Sequence, residues 1–277
     1  MSLGIAFKGP EGIVLAADSR VTLTTQKQIG GVPNLIASTF DNATKMLEIS
    51  KHNYVGTVTY GLGAMGEKEP RVAHSFLPEF EEHLEAHLNQ KEVTRLSIEE
   101  FSKELSGFFM KQWEKHMPKT FSGPDMVFLV GGFDEGAAYG KVYMIAIPSN
   151  PEPVERNASQ FGVIWGGQLE STNRLIKGFD PELPSIIKKF LNLDETKTKE
   201  LTKHLENKLS AQIPYQFLPL QDCVNLSIFL IRTTIEMQTW MLGIRGVGGA
   251  IDVATVTRTN GFKPVQRKEI IGQKDLK

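Results

Sequence analysis

Two short runs near the start of the chain, LGIAFK and GIVLAA, carry almost no polar side chain on either face. A strand with one wet face alternates apolar and polar residues, so a β-prone run that does not alternate has to be covered on both sides. GPEG between the two runs is turn chemistry, and residues 3–8 and 12–17 are predicted to pair as a hairpin buried on both faces. MVFLV, more than a hundred residues on, repeats the pattern. Such strands demand a layer above and a layer below their sheet.

The rest of the chain supplies those layers in blocks. TLTTQKQIGGVPNLIASTF is polar and broken by Gly30, Gly31 and Pro33, and reads as an irregular loop or an extended hairpin; TKMLEIS and NYVGTVTYG read as strands. The period then becomes helical. Leu77, Phe80, Leu84 and Leu88 share one face of the next segment, with Pro78 breaking or delaying its first turn. Ser97 and Glu100 form a capping box ahead of the apolar stripe Ile98, Phe101, Leu105, Phe108 and Phe109. DMVFLVGGFD, GKVYMIAIP and SQFGVIWGG return to strand. LESTNRLIKGF, PSIIKKFLNL and the charged, peripheral DETKTKELTKHLENKLSAQI are helical, and PLQDCVNLSIFLIRTTIEMQTWML, apolar on several sides, is expected to be a core helix. GGAIDVATVTRTNGFKPV closes with two strands about an Asn-Gly turn. Runs of each type, without strict βαβ alternation, predict antiparallel sheets with helices layered outside: an α+β, four-layer αββα sandwich. Residues 1–266 form one domain with a helical insertion near 177–217, and 267–277 a polar tail.

Composition excludes several classes. The formal net charge of −1 gives no electrostatic reason to expect nucleic acid or an anionic membrane as partner. No run of about 18 apolar residues predicts a membrane span, and no signal-peptide pattern precedes the first strand, so a cytoplasmic location is expected. The single cysteine, Cys223, lies in an apolar helical segment and reads as a buried, inert thiol. His83 and His87 have i, i+4 spacing, but Leu84 stands where a zinc-peptidase frame needs its glutamate, so they read as a solvated helix face. No metal or cofactor is expected.

LGIAFKGPEGIVLAADSRVT resembles the opening of a proteasome β-subunit and, more broadly, of the proteasome-like N-terminal nucleophile hydrolases. TKMLEI is similar to that family's lysine-bearing strand, and VGTVTYGLGAMG to its glycine-containing strand end. The resemblance is strong over residues 2–65, weaker at GGAIDVATV and faint from about 177 to 217; some eleven extra residues lie between Thr22 and Lys45. It implies the αββα fold and, position by position, a peptidase site. Ser2 falls where the family has its N-terminal nucleophile, and removal of Met1 would free its α-amine as the base that a neutral hydroxyl needs. Lys45 matches the catalytic lysine and Asp18 the acid that orients it, with Arg20 a structural neighbour. Gly61, or Tyr60 if the register slips by one, would offer the oxyanion N–H.

The departures from the family pattern bear on activity. Its Asp and Ser beside the nucleophile, in an R-D-x-x-S-G-G segment, correspond to Ile244 and Val247 in GIRGVGGAI, and its G-S-G serine to a stretch without a hydroxyl, WGGQ. Three readings follow: a peptidase subunit of the threonine/serine type, a non-catalytic assembly subunit, and an amidase acting on a small amide. The resemblance implies as partners peptide substrate, copies of the chain in a ring or related oligomer, and an unfoldase ATPase. Phe80, Phe108, Phe109 and Trp113 on the two central helices would serve either a subunit interface or the packing of those helices on a sheet.

Overall fold

A computed structural model describes residues 2–29, 32–66, 69–270 and 272; of 24–27, 29 and 32–35 it describes the backbone alone. Leu3–Lys8 (β1) and Ile13–Asp18 (β2) pair antiparallel, and every residue of both is buried. The alternation of side chains explains why neither could spare a polar face. Leu3, Ile5, Phe7, Val14 and Ala16 point to one side, and Ala6, Ile13, Leu15 and Ala17 to the other.

The hairpin sits inside a five-stranded antiparallel sheet. Val21–Ile29 (β3) and Val32–Phe40 (β4) pair only with each other, as a long ribbon beyond β2; the Gly30-Gly31 tip lies outside the described residues. Met46–Glu48 (β5) and Val55–Gly61 (β6) follow, then the short pair Ala64–Met65 (β7) and Arg71–Val72 (β8). A 3₁₀ turn, Ala73–Phe76, leads into Leu77–Lys91 (α1) and Ile98–His116 (α2). Met126–Gly132 (β9), Lys141–Ile147 (β10), Asn150–Arg156 (β11) and Gly162–Gly167 (β12) come next. Glu170–Ile176 (α3), Leu183–Leu191 (α4), Glu195–Leu209 (α5) and Leu220–Trp240 (α6) precede the final strands, Ile251–Thr257 (β13) and Gly261–Gln266 (β14). The sheets run β12-β1-β2-β13-β14 and β11-β10-β9-β6-β5.

Three apolar layers hold these elements together. Between the sheets lie Ile13, Leu15 and Ala254 from one and Val58, Leu129 and Val142 from the other. The outer face of the first sheet packs under α6 and α3, through Leu230, Ile231 and Ile176. The outer face of the second packs under α1 and α2. The order helix, sheet, sheet, helix is the sandwich that the doubly buried strands demand.

Local sequence explains the helix limits. Pro78 occupies the first turn of α1, where its missing N–H costs nothing, and the 3₁₀ turn ahead of it absorbs the delayed start. The capping box of α2 is complete: Ser97 Oγ accepts from Glu100 N–H, and the Glu100 carboxylate accepts from Ser97 N–H. The aromatics of these helices face inward. Phe80 and Phe109 are fully buried, Phe108 and Trp113 nearly so, and Phe76, Phe108 and Phe109 stack edge to face. They are core, packed between these helices and the second sheet. Phe109→Ala is expected to cost about 3–5 kcal/mol of unfolding free energy by opening a cavity; a denaturant titration measures it, and a loss below ~1 kcal/mol would show that the ring is not needed there.

One element carries no signal in the sequence and one reading needs correction. NPEPVER carries two prolines and gives no strand signal, yet it forms β11; Pro is tolerated because β11 is an edge strand. The long α6 is not buried all round. Cys223, Leu230 and Ile231 face the sheet, whereas Phe229, Met237 and Trp240 are exposed. Cys223 is buried, and burial pushes its thiol up to about 11, which leaves it protonated at neutral pH. Within the expected insertion, α5 buries no residue and α4 only Pro184, as a peripheral pair would.

Candidate active site

Ser2 stands immediately before β1, and Asp18 is the last residue of β2, so their pairing brings the two ends of the hairpin together. Asp18 is fully buried and accepts four hydrogen bonds. Its Oδ1 takes Leu3 N–H at 3.0 Å and Lys45 Nζ at 2.7 Å; its Oδ2 takes Arg20 N–H at 3.1 Å and Gly248 N–H at 3.0 Å. One carboxylate therefore ties the residue after Ser2 to Lys45 and to the loop before β13. Burial lowers the proton affinity of the Lys45 ammonium; Asp18 opposes that, and the nearby cations Lys268 and Arg20 add to it.

Ser2, Thr22, Lys45, Tyr60 and Gly61 line one small cavity of about 50 Å³. Ser2 is buried, and its carbonyl accepts Gln168 N–H at 2.8 Å. That approach explains WGGQ: Gly167 has φ +98°, and a Cβ there would overlap the Ser2 carbonyl oxygen. The end of β6 turns the N–H groups of Tyr60 and Gly61 to opposite sides. Thr59 N–H donates to Lys45 C=O, and Leu62 N–H to Asp125 C=O, both at 2.8 Å. Alternation along the strand turns the N–H of Tyr60 into the ladder with β9 and that of Gly61 to the Lys45 side. Gly61 also has φ +86°, and a Cβ there would strike the Asp125 carbonyl oxygen.

Backbone groups around Val247 make this corner's contacts. Gly248 donates its N–H to Asp18 and accepts Ser19 N–H at 3.1 Å, while Val247 N–H donates to Gln238 Oε1 at 2.9 Å. Arg20 braces the same corner, with Nε and Nη2 on the Asp41 carboxylate at 2.5 and 2.7 Å. The Gly248 and Gln168 amides left no mark in the sequence, because any residue but proline carries an N–H. Thr22 had one signal, its place after Arg20; its Oγ1 is buried without a hydrogen-bond partner among the described residues. Elsewhere, His83 and His87 lean on the Glu104 carboxylate, at 3.0 and 3.5 Å, and no cluster of side chains suited to a metal ion occurs among the described residues.

The layers and strand orders are those of a proteasome-like fold. A solved structure similar to this chain is a mutant of Anbu from Hyphomicrobium sp. strain MC1, a protein of that fold. The TM-score is 0.54 at 14% identity, over 97% of this chain and 86% of that one. No family model matches the sequence, and no curated protein is similar to it in sequence. Among the described residues no helix is long and apolar enough to cross a membrane.

Proposed function

We propose that the chain is a proteasome-like peptidase subunit that hydrolyses amide bonds with Ser2 as nucleophile once Met1 is removed. The observation that carries this reading is the four-bonded Asp18, which joins Lys45 to the residue after Ser2 beside a cavity that Ser2, Lys45 and Gly61 share. In the reaction, Ser2 Oγ attacks the carbonyl carbon and gives its proton to the free α-amine. The Gly61 N–H stabilises the oxyanion. Collapse breaks the C–N bond, and the α-ammonium protonates the leaving amine. Water, deprotonated by the amine, then cleaves the ester on Ser2. The Lys45 ammonium favours the neutral α-amine and the developing alkoxide.

The test is an electrophilic peptide inhibitor followed by peptide mapping, with the adduct expected on Ser2; an adduct elsewhere overturns the assignment. Activity is expected to rise with pH through the α-amine range, about 7.7–8.0 in unperturbed peptides, since only the neutral amine accepts the proton. Closed self-assembly, which would sequester the site, is part of the proposal. Light scattering is expected to give a mass several times the 30.8 kDa chain; a monomer at micromolar concentration would favour the small-amide reading.

A further inference from the structure

β5 is one edge strand of the second sheet, opposite β11, and β13 lies next to the edge strand β14 in the first. A cleft of about 940 Å³ opens between β5, the start of β13 and the segment that follows β14, and Thr44 lines both this cleft and the Ser2 cavity. The bond from Thr59 N–H to Lys45 C=O fixes the alternation of β5. Lys45 and Leu47 turn their backbone groups to β6, and Thr44, Met46 and Glu48 turn theirs outward into the cleft. Among the described residues those outward groups make no hydrogen bond. An unpaired strand edge of this kind takes an extended polypeptide as an added strand.

The charges on the walls define the side chains of that strand. Glu48 stands on the second sheet and Asp252, nearly buried, on the first. The segment after β14 already satisfies both. Arg267 Nη2 meets Glu48 Oε2 at 2.5 Å, Lys268 N–H meets Asp252 Oδ1 at 3.0 Å, and the Lys268 ammonium pairs with Asp252 Oδ2. Successive side chains of an extended segment point to opposite faces, so an adjacent basic pair reaches one carboxylate on each sheet. Arg267 and Glu48 are each nearly half exposed, at 46% and 42%, so their pair is a weak clasp; Lys268 and Asp252 are far more enclosed.

We propose that this cleft binds an extended peptide segment carrying two adjacent basic residues, and that Arg267 and Lys268 are its intramolecular competitor. The inference goes beyond the hydrolytic reading, since binding here needs no bond cleavage. Its test uses the full chain with Ser2→Ala and three fluorescent octapeptides, alanine-rich with Arg-Lys, Ala-Ala or Glu-Glu at the centre, read by anisotropy. Arg267→Ala is expected to tighten the Arg-Lys peptide about fivefold, the scale of one half-exposed ion pair, and to leave the other two unchanged. Adding Glu48→Gln is expected to remove that gain. Equal affinity for the three peptides, or a gain that survives Glu48→Gln, overturns the proposal. Because binding is read without turnover, a failure here and a failure of peptidase activity are seen separately.

Discussion

Ser2→Ala is expected to abolish peptidase activity while the chain still folds. Removing the nucleophile or base of a hydroxyl hydrolase costs on the order of 10⁴- to 10⁶-fold in turnover. Ser2→Ala removes the nucleophile itself and leaves the α-amine with no hydroxyl to deprotonate, so the loss belongs at the upper end. Ser2 contributes to the fold chiefly through its backbone, whose carbonyl accepts Gln168 N–H, and alanine keeps that bond. The variant should therefore unfold at the denaturant concentration of the wild type. A second construction separates the amine from the hydroxyl: a blocking residue joined to Ser2 keeps Oγ but turns the α-amine into an amide without a basic lone pair, and is expected to be as inactive as the alanine variant. Ser2→Thr restores a hydroxyl with a stiffer rotamer and should retain turnover. Full activity in the alanine or the blocked form would remove Ser2 from the chemistry.

Asp18→Asn is expected to lose activity and, unlike Ser2→Ala, much of the stability. The carboxamide leaves the Lys45 ammonium buried without its counter-charge, and breaking a buried pair from one side costs about 3–5 kcal/mol. The amide NH₂ must also face two donors, either Leu3 N–H and the Lys45 ammonium or the Arg20 and Gly248 N–H groups. Lys45→Met should be equally inactive but milder, since Asp18 keeps its three backbone donors. The pH dependence has a defined sign. Burial holds the folded-state proton affinity of Lys45 below its ordinary value. Between the folded and unfolded pKa the unfolded chain binds more protons, so the Lys45 contribution to stability rises with pH there. Without Asp18 the folded pKa falls further. The deficit of Asp18→Asn is thus largest near neutral pH and shrinks as pH rises toward the ordinary lysine value. Urea titrations at pH 7 and pH 9 measure it; an undiminished midpoint at pH 7 would show that Asp18 does not hold Lys45.

The chemistry of individual side chains shows how far a linear reading reaches. Ser97 and Glu100 announce a helix start because a hydroxyl and a carboxylate three residues apart satisfy two orphan amides locally. Phe80, Phe108, Phe109 and Trp113 announce a buried stripe, but periodicity cannot say whether a sheet or another subunit covers it; the second sheet does. NPEPVER hides a strand because proline's missing N–H matters only where a neighbour needs it, and edge position is a property of the sheet.

What the sequence determined by itself was the layering and the order of the candidate groups. LGIAFK and IVLAAD have no wet face and admit only a place between layers, and Ser2, Asp18 and Lys45 are legible as side chains with distinctive chemistry. The tertiary structure decided everything that passes through the backbone or across long stretches of chain. Gly248 is 230 residues from the carboxylate it donates to, Gln168, remote in sequence, meets Ser2 because β12 pairs beside β1, and Arg267 and Lys268 meet their carboxylates because the chain leaving β14 passes between β5 and β13. A backbone amide looks the same at every residue but proline, so its partner is set by the order and register of strands, and these are fixed only when the two sheets close on their common core.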